Sequence, residues 1–237
     1  MAGLTGLAGM AGMAGLAGAM GPVLTQALGL CAGVVILTAV LQLWRRSLSG
    51  SLTLLAAQGV ALSALILTIG VADGDPQLLG VAVLVLAIKG AAIPLLLARA
   101  VSATGARPEV APRMNPTAGL LLSALLTTVA YLASRPIIGP APDAAGRAVP
   151  VGLAVVLIGF LMLLARRQAI SQLVGFVVLD NGIATVALLT AGGVPLVVEL
   201  GVTLDVLLVV LILRVLTGRL RQEFGATDLD DLTELRD

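Results

Sequence analysis

The sequence predicts an all-α, polytopic integral membrane protein with about seven transmembrane helices. Three observations carry that expectation. Of the 237 residues, 59% are hydrophobic and only 11% charged, too little polar surface to cover a water-soluble globule. The mean hydropathy is +1.10. Apolar runs of roughly 20 residues, the length a helix needs to cross a hydrocarbon core of roughly 30 Å, follow one another along the chain. The 14 basic and 13 acidic residues nearly cancel, which leaves no basic face for nucleic acid. With no histidine and the single cysteine Cys31, the chain lacks the usual ligands for haem, an iron–sulfur cluster or zinc, so it is expected to bind no cofactor or metal of its own. Cys31 reads as a small packing residue.

Taken in order, residues 1–21 form a low-complexity Ala/Gly/Met extension with glycine at Gly3, Gly6, Gly9, Gly12, Gly15, Gly18 and Gly21. It has no proline repeat for collagen and no basic segment for a signal peptide. The expected spans are 22–44, 51–72, 78–98, 117–133, 150–165, 171–191 and 195–217. Gly29 and Gly33 in the first have the spacing that lets another helix approach. The chain divides into the extension, membrane helices and loops over 22–149, a three-helix membrane domain over 150–217 and a tail over 218–237. In the tail, Thr227 and Asp230 have capping-box spacing, and Leu229, Leu232 and Leu235 share one helical face.

Arginine placement orients these spans. Arg45 and Arg46 follow the first, Arg99, Arg107 and Arg113 the third, Arg166 and Arg167 the fifth, and Arg219 and Arg221 the seventh. The opposite side holds Asp73, Asp75, the turn Gly192-Gly193-Val194-Pro195 and a loop with only Arg135 and Arg147. Positive residues gather on the cytoplasmic side, which puts the N-terminus outside and the C-terminus in the cytoplasm.

Four ionisable residues fall inside the spans: Lys89, Asp180, Glu199 and Asp205. Each costs on the order of 2.5–3.5 kcal/mol at a helix centre on insertion scales, so each must face protein or water, and these four are the candidates for proton translocation. Taking 192–194 as the turning point, Asp180 lies thirteen residues before Gly193 and Asp205 twelve after it, nearly the same depth. If the two face each other, a low-dielectric site disfavours two ionised carboxylates and favours a shared proton. Glu199 lies about 120° around the last helix from Asp205 and roughly 9 Å away along it, so the two address different neighbours. Lys89 is followed by Gly90 and Pro94, residues that loosen a helix and free backbone groups. It either relays protons or pairs structurally with an acid, Asp180 being the first choice.

From residue 150 onward the chain resembles the small three-helix membrane subunit of respiratory complex I, the NuoK-like family, and within that group the E component of hydrogenase-4 and formate-hydrogenlyase-type NiFe hydrogenases. The resemblance lies in Arg166-Arg167 before a span with Gly175 and Leu179-Asp180-Asn181-Gly182, in Pro195-Leu196-Val197-Val198-Glu199-Leu200-Gly201-Val202, and in the tail from Thr227 to Asp237. It covers a little over a third of the chain. The hydrogenase-type E component also has extra N-terminal helices, and Lys89 with a proline a turn later is similar to a feature of that part. The resemblance implies a last-helix glutamate at Glu199 and a buried acid at Asp180, although Asp180 is shorter than the glutamate of the complex I form and about one turn later.

What the resemblance implies is a non-catalytic membrane-arm subunit in a bacterial or archaeal plasma membrane. Its partners would be antiporter-like membrane subunits, other membrane-arm subunits and a peripheral redox arm, whose subunits would hold the NiFe centre and iron–sulfur clusters. The alternative is the small subunit of a multi-subunit cation/proton antiporter of the Mrp type. A solute transporter is disfavoured because no internal repeat is visible. A retinal photoreceptor would resemble microbial rhodopsins in carrying a last-helix lysine, which this chain lacks.

Overall fold

The computed structural model describes residues 2–45, 47–104, 114–138, 144–166 and 168–191, with Gly201 and Gly218. The elements are α1 (Ala2–Trp44), α2 (Leu48–Asp73), α3 (Pro76–Val85), a π-helical segment (Leu86–Ala92), α4 (Ile93–Thr104), α5 (Pro116–Ile138), α6 (Ala144–Ala165) and α7 (Ala169–Ala191). Every described element is helical, and six stretches are long and apolar enough to span a bilayer: Gly21–Trp44, Leu48–Asp73, Pro76–Ser102, Pro116–Ile138, Ala145–Ala165 and Ile170–Thr190. They match the first six expected spans, with α3, the π segment and α4 forming one of them. The seventh, 195–217, lies outside the described residues, as do Glu199, Asp205 and the tail.

Two boundaries differ from expectation. The fourth span was expected to stop at 133, before Arg135-Pro136, but α5 runs to Ile138. Pro136 lies in its last turn, where a missing N–H removes a single backbone bond close to the helix end. Likewise α6 starts at Ala144 and passes through Pro150 in its second turn. Between α2 and α3 the chain reverses sharply at Gly74, whose φ of 64° is the left-handed conformation glycine tolerates without strain. The Asp75 carboxylate then caps α3, accepting from the Gln77 backbone N–H at 2.8 Å.

In lipid, helices associate through close packing, and small residues set how near the backbones come. A Cβ added at Gly152 or Gly182 would collide with the backbone of the facing helix, at Val186 and Val156 respectively. The same holds for Gly159 against Leu179, and Gly175 is in tight contact with Met162 and Leu163. These glycines recur every seven residues on α6 and on α7, so they form one contact stripe. A third close crossing sets Gly59 of α2 on the backbone of Lys89 and Gly90. Gly29 and Gly33, expected to serve a helix contact, are exposed with nothing in front of them among the described residues.

The buried side chains form two clusters, one toward each end of the bundle. One end carries Arg45, Arg99 and Arg166 and is called the arginine end below; the Arg166 guanidinium there donates to the carbonyls of Gln42 and Arg45 at 2.8 and 2.9 Å, tying the C-terminus of α1 to that of α6. A cation on terminal carbonyls also suits the negative end of the helix dipole. The cluster on this side includes Val35, Ala39, Leu52, Leu55, Ile93, Leu97, Ile158, Met162 and Val177. The other includes Leu28, Leu62, Leu65, Ile66, Leu78, Val85, Val149 and Leu188.

Gly59→Ala is expected to lower stability by about 1–3 kcal/mol, the usual range for overpacking a tight contact. Gly80→Ala, in open space, serves as control. Thermal unfolding of the purified protein in detergent compares them; equal stability of the two variants would contradict the close crossing of α2 and the π segment.

Candidate functional site

The site begins with a helix that cannot continue as an α-helix. Pro94 has no N–H to offer the carbonyl of Gly90, and its ring crowds that carbonyl. The chain widens instead into the π segment, where the Ile93 N–H reaches back five residues to the Ile88 carbonyl. Lys89 sits within this segment and is 2% exposed. Gly59 lets α2 press against the backbone at this level, and the lysine side chain meets α7.

There the Lys89 Nζ donates to Asp180 Oδ2 at 2.5 Å, and the aspartate is itself buried. This is the partner the sequence suggests for Lys89. Two opposite charges in a low-dielectric interior attract strongly, but each has lost its hydration, so the pair contributes little net stability while the loss of either member costs about 3–5 kcal/mol. Asp180 stands at its depth because Gly182, two residues on, packs α7 against α6.

Next to the aspartate, Asn181 is fully buried and donates through Nδ2 to the Gln58 amide oxygen at 3.0 Å. Gln58, also fully buried, donates through Nε2 to the Val35 carbonyl at 3.1 Å. One polar layer therefore joins α1, α2, the π segment and α7 at mid-span. Chemically it offers a primary amine and a carboxylate within direct proton-transfer distance, with amides that orient but do not titrate. Of the four expected site residues, Lys89 and Asp180 come together here. Glu199 and Asp205 lie outside the described residues, and so does the expected facing of Asp180 and Asp205. Gln58 does not stand out in the sequence as the charged residues do, because an uncharged amide costs less in an apolar span; its place within such a span is the one signal it gives.

The fold and this layer define a multi-pass α-helical membrane protein organised around a buried ion pair. It belongs to the same family as the uncharacterized protein Rv0085 of Mycobacterium tuberculosis, with which it is 47% identical over 207 residues, covering 87% of this chain and 94% of that one. It is more distantly similar to hydrogenase-4 component E of Escherichia coli and of Shigella flexneri, at 24% identity over 205 residues, or 86% of this chain and 95% of theirs. That similarity spans the N-terminal helices as well as the C-terminal part. No protein-family model matches the chain, and no solved structure does.

Lys89→Met and Asp180→Leu, each alone, are expected to destabilise the protein by about 3–5 kcal/mol, because each strands a buried charge. The double variant is expected to recover most of that loss. Thermal unfolding of all four proteins tests this coupling, and additive losses would show that the two side chains do not depend on each other.

Proposed function

We propose that this chain is a non-catalytic membrane-arm subunit of a complex I-like, membrane-bound NiFe hydrogenase or formate-hydrogenlyase-type complex, in which Lys89, Asp180, Glu199 and Asp205 carry protons through the membrane. The observation that supports it most is the buried Lys89–Asp180 pair at mid-span, in a chain similar over most of its length to hydrogenase-4 component E. Ionisable groups at this depth are expensive and mark ion paths by default. Redox chemistry belongs to partner subunits that hold the NiFe centre and the iron–sulfur clusters. The arginine end faces the cytoplasm in this reading, and residues 150–217 form the NuoK-like part.

The pair gives the relay a simple step. With Lys89 protonated and Asp180 ionised, moving one proton from Nζ to Oδ2 neutralises both groups, and the reverse transfer restores both charges. In low dielectric the balance between the two states responds to any charge that approaches or leaves nearby. A charge change on a neighbouring subunit or on the last-span acids can thus drive the proton off Asp180, after which Lys89 is recharged by a new proton. Lysine suits this role because its proton can leave; arginine would hold its proton at any working pH.

Lys89→Arg is expected to preserve the ion pair, the assembly of the complex and its dye-coupled redox activity, while proton pumping falls sharply. Asp180→Asn and Glu199→Gln are expected to weaken pumping in the same way. Proton uptake into inverted membrane vesicles, measured beside redox turnover, decides the matter. Wild-type pumping in all three variants would overturn the assignment.

A further inference from the structure

Polar side chains are buried on both sides of the ion pair, but the two sides differ in how well those groups are satisfied. On the arginine side of the ion pair, Thr38, Gln42, Ser51, Arg166 and Ser171 are all buried. On the other side, among mainly aliphatic neighbours, the buried Ser63, Ser134 and Thr185 each already donate to a carbonyl, of Ala82, Tyr131 and Asn181 respectively.

Several groups on the arginine side want further partners. Gln42 is fully buried, yet neither atom of its side-chain amide has a hydrogen-bond partner among the described residues. Asn181 Oδ1, beside the ion pair, is in the same position. A buried polar group left unpaired costs about 1–3 kcal/mol, so water is strongly favoured wherever it fits. Between Arg166, Ser51, Ser171, Leu48, Met162 and Val174 lies a cavity of about 10 Å³, room for one water. Gln42 is joined to this cradle through its carbonyl, which accepts from Arg166.

A ladder connects the two ends. Val35, Thr38 and Gln42 follow one another at helical spacing on the buried face of α1, and the Val35 carbonyl accepts from Gln58. From Gln42 to Val35 is roughly 10 Å along the helix, the reach of about three hydrogen-bonded waters. Midway, the Thr38 hydroxyl donates to the carbonyls of Val34 and Val35 at 2.8 and 2.9 Å, which leaves its oxygen free to accept from water.

We infer that Gln42, Thr38 and the Arg166 cradle hold a file of ordered water that supplies protons from the arginine end to the Lys89–Asp180 pair. Once Asp180 has given up its proton, each water takes a proton on the Arg166 side and releases one toward that carboxylate, which passes it to Lys89 Nζ, so the water is unchanged and Lys89 is recharged. Asn181 Oδ1 holds the last water beside that carboxylate. Gln42, Thr38 and Asn181 are positioning residues: they anchor water and do not themselves titrate. The inference deepens the proposed proton path and rests on it for its function, but the water file can be tested without it.

Radiolytic hydroxyl labelling of the full complex in membrane vesicles, in water enriched in oxygen-18, detects water held beside buried side chains. Met162 is 1% exposed but lines the cavity, so it is expected to be oxidised with incorporation of the heavy isotope, as the more accessible Met114 will be. Gln42→Leu and Thr38→Val are expected to reduce proton pumping several-fold at unchanged dye-coupled redox activity. An unlabelled Met162 beside a labelled Met114 would overturn the water file. So would normal pumping in both variants where Asp180→Asn pumps poorly. If Asp180→Asn pumps normally, the proposed function fails instead, and the labelling of Met162 still decides whether the water is there.

Discussion

A lysine and an aspartate that meet buried inside an apolar bundle impose demands on every helix around them. The Lys89 and Asp180 side chains meet inside the bundle, so the spans that carry them must be held at one depth and one rotation. The bundle does this with backbones in contact. Gly59 seats α2 on the π segment, and the stripe of Gly152, Gly159, Gly175 and Gly182 seats α7 on α6. Gln58 and Asn181 then link those two seats by a hydrogen bond. In a bilayer, where burying apolar surface against another helix gains little over lipid, such contacts and polar links are what fix the arrangement.

The π segment shows how one local defect serves that purpose. A proline in mid-span removes a backbone bond, and the chain accommodates it by widening the turn just before it. Lys89 lies inside the widened stretch, and a glycine on the neighbouring helix fills in against its backbone. Buried polar groups extend from this layer to Arg166 and the end of α1, while the opposite half sets Ser63, Ser134 and Thr185, each bonded to a carbonyl, among mainly aliphatic side chains.

Much of this was legible in the residues. Hydropathy locates spans because the bilayer demands it of every lipid-crossing helix, and six stretches stand where apolar runs predict them. Lys89 and Asp180 stand out for a related reason: a charge in an apolar run has few tolerable fates, and pairing is one of them. The glycine contacts were not legible, because with 28 glycines their spacing carries little information and only the facing helix shows which are pressed. Gly29 and Gly33 have a spacing that invites contact and face open space, whereas Gly59 has no motif and touches backbone. The amide layer was hidden because pairing between Gln58 and Asn181 depends on which helices become neighbours, a tertiary fact. Proline at 94 signalled a weakened helix but not the form the weakening takes.

Proton exchange within the Lys89–Asp180 pair during turnover is the step on which the proposed function turns. Infrared difference spectroscopy of the complex, with and without electron donor, reports it most directly through the carbonyl stretch of a protonated aspartate. The account predicts a carboxylic-acid band that appears on turnover, shifts with carbon-13-labelled aspartate and is absent in Asp180→Asn. A complex that pumps protons with no such band, Asp180 staying ionised throughout, would contradict it and leave the pair a purely structural link.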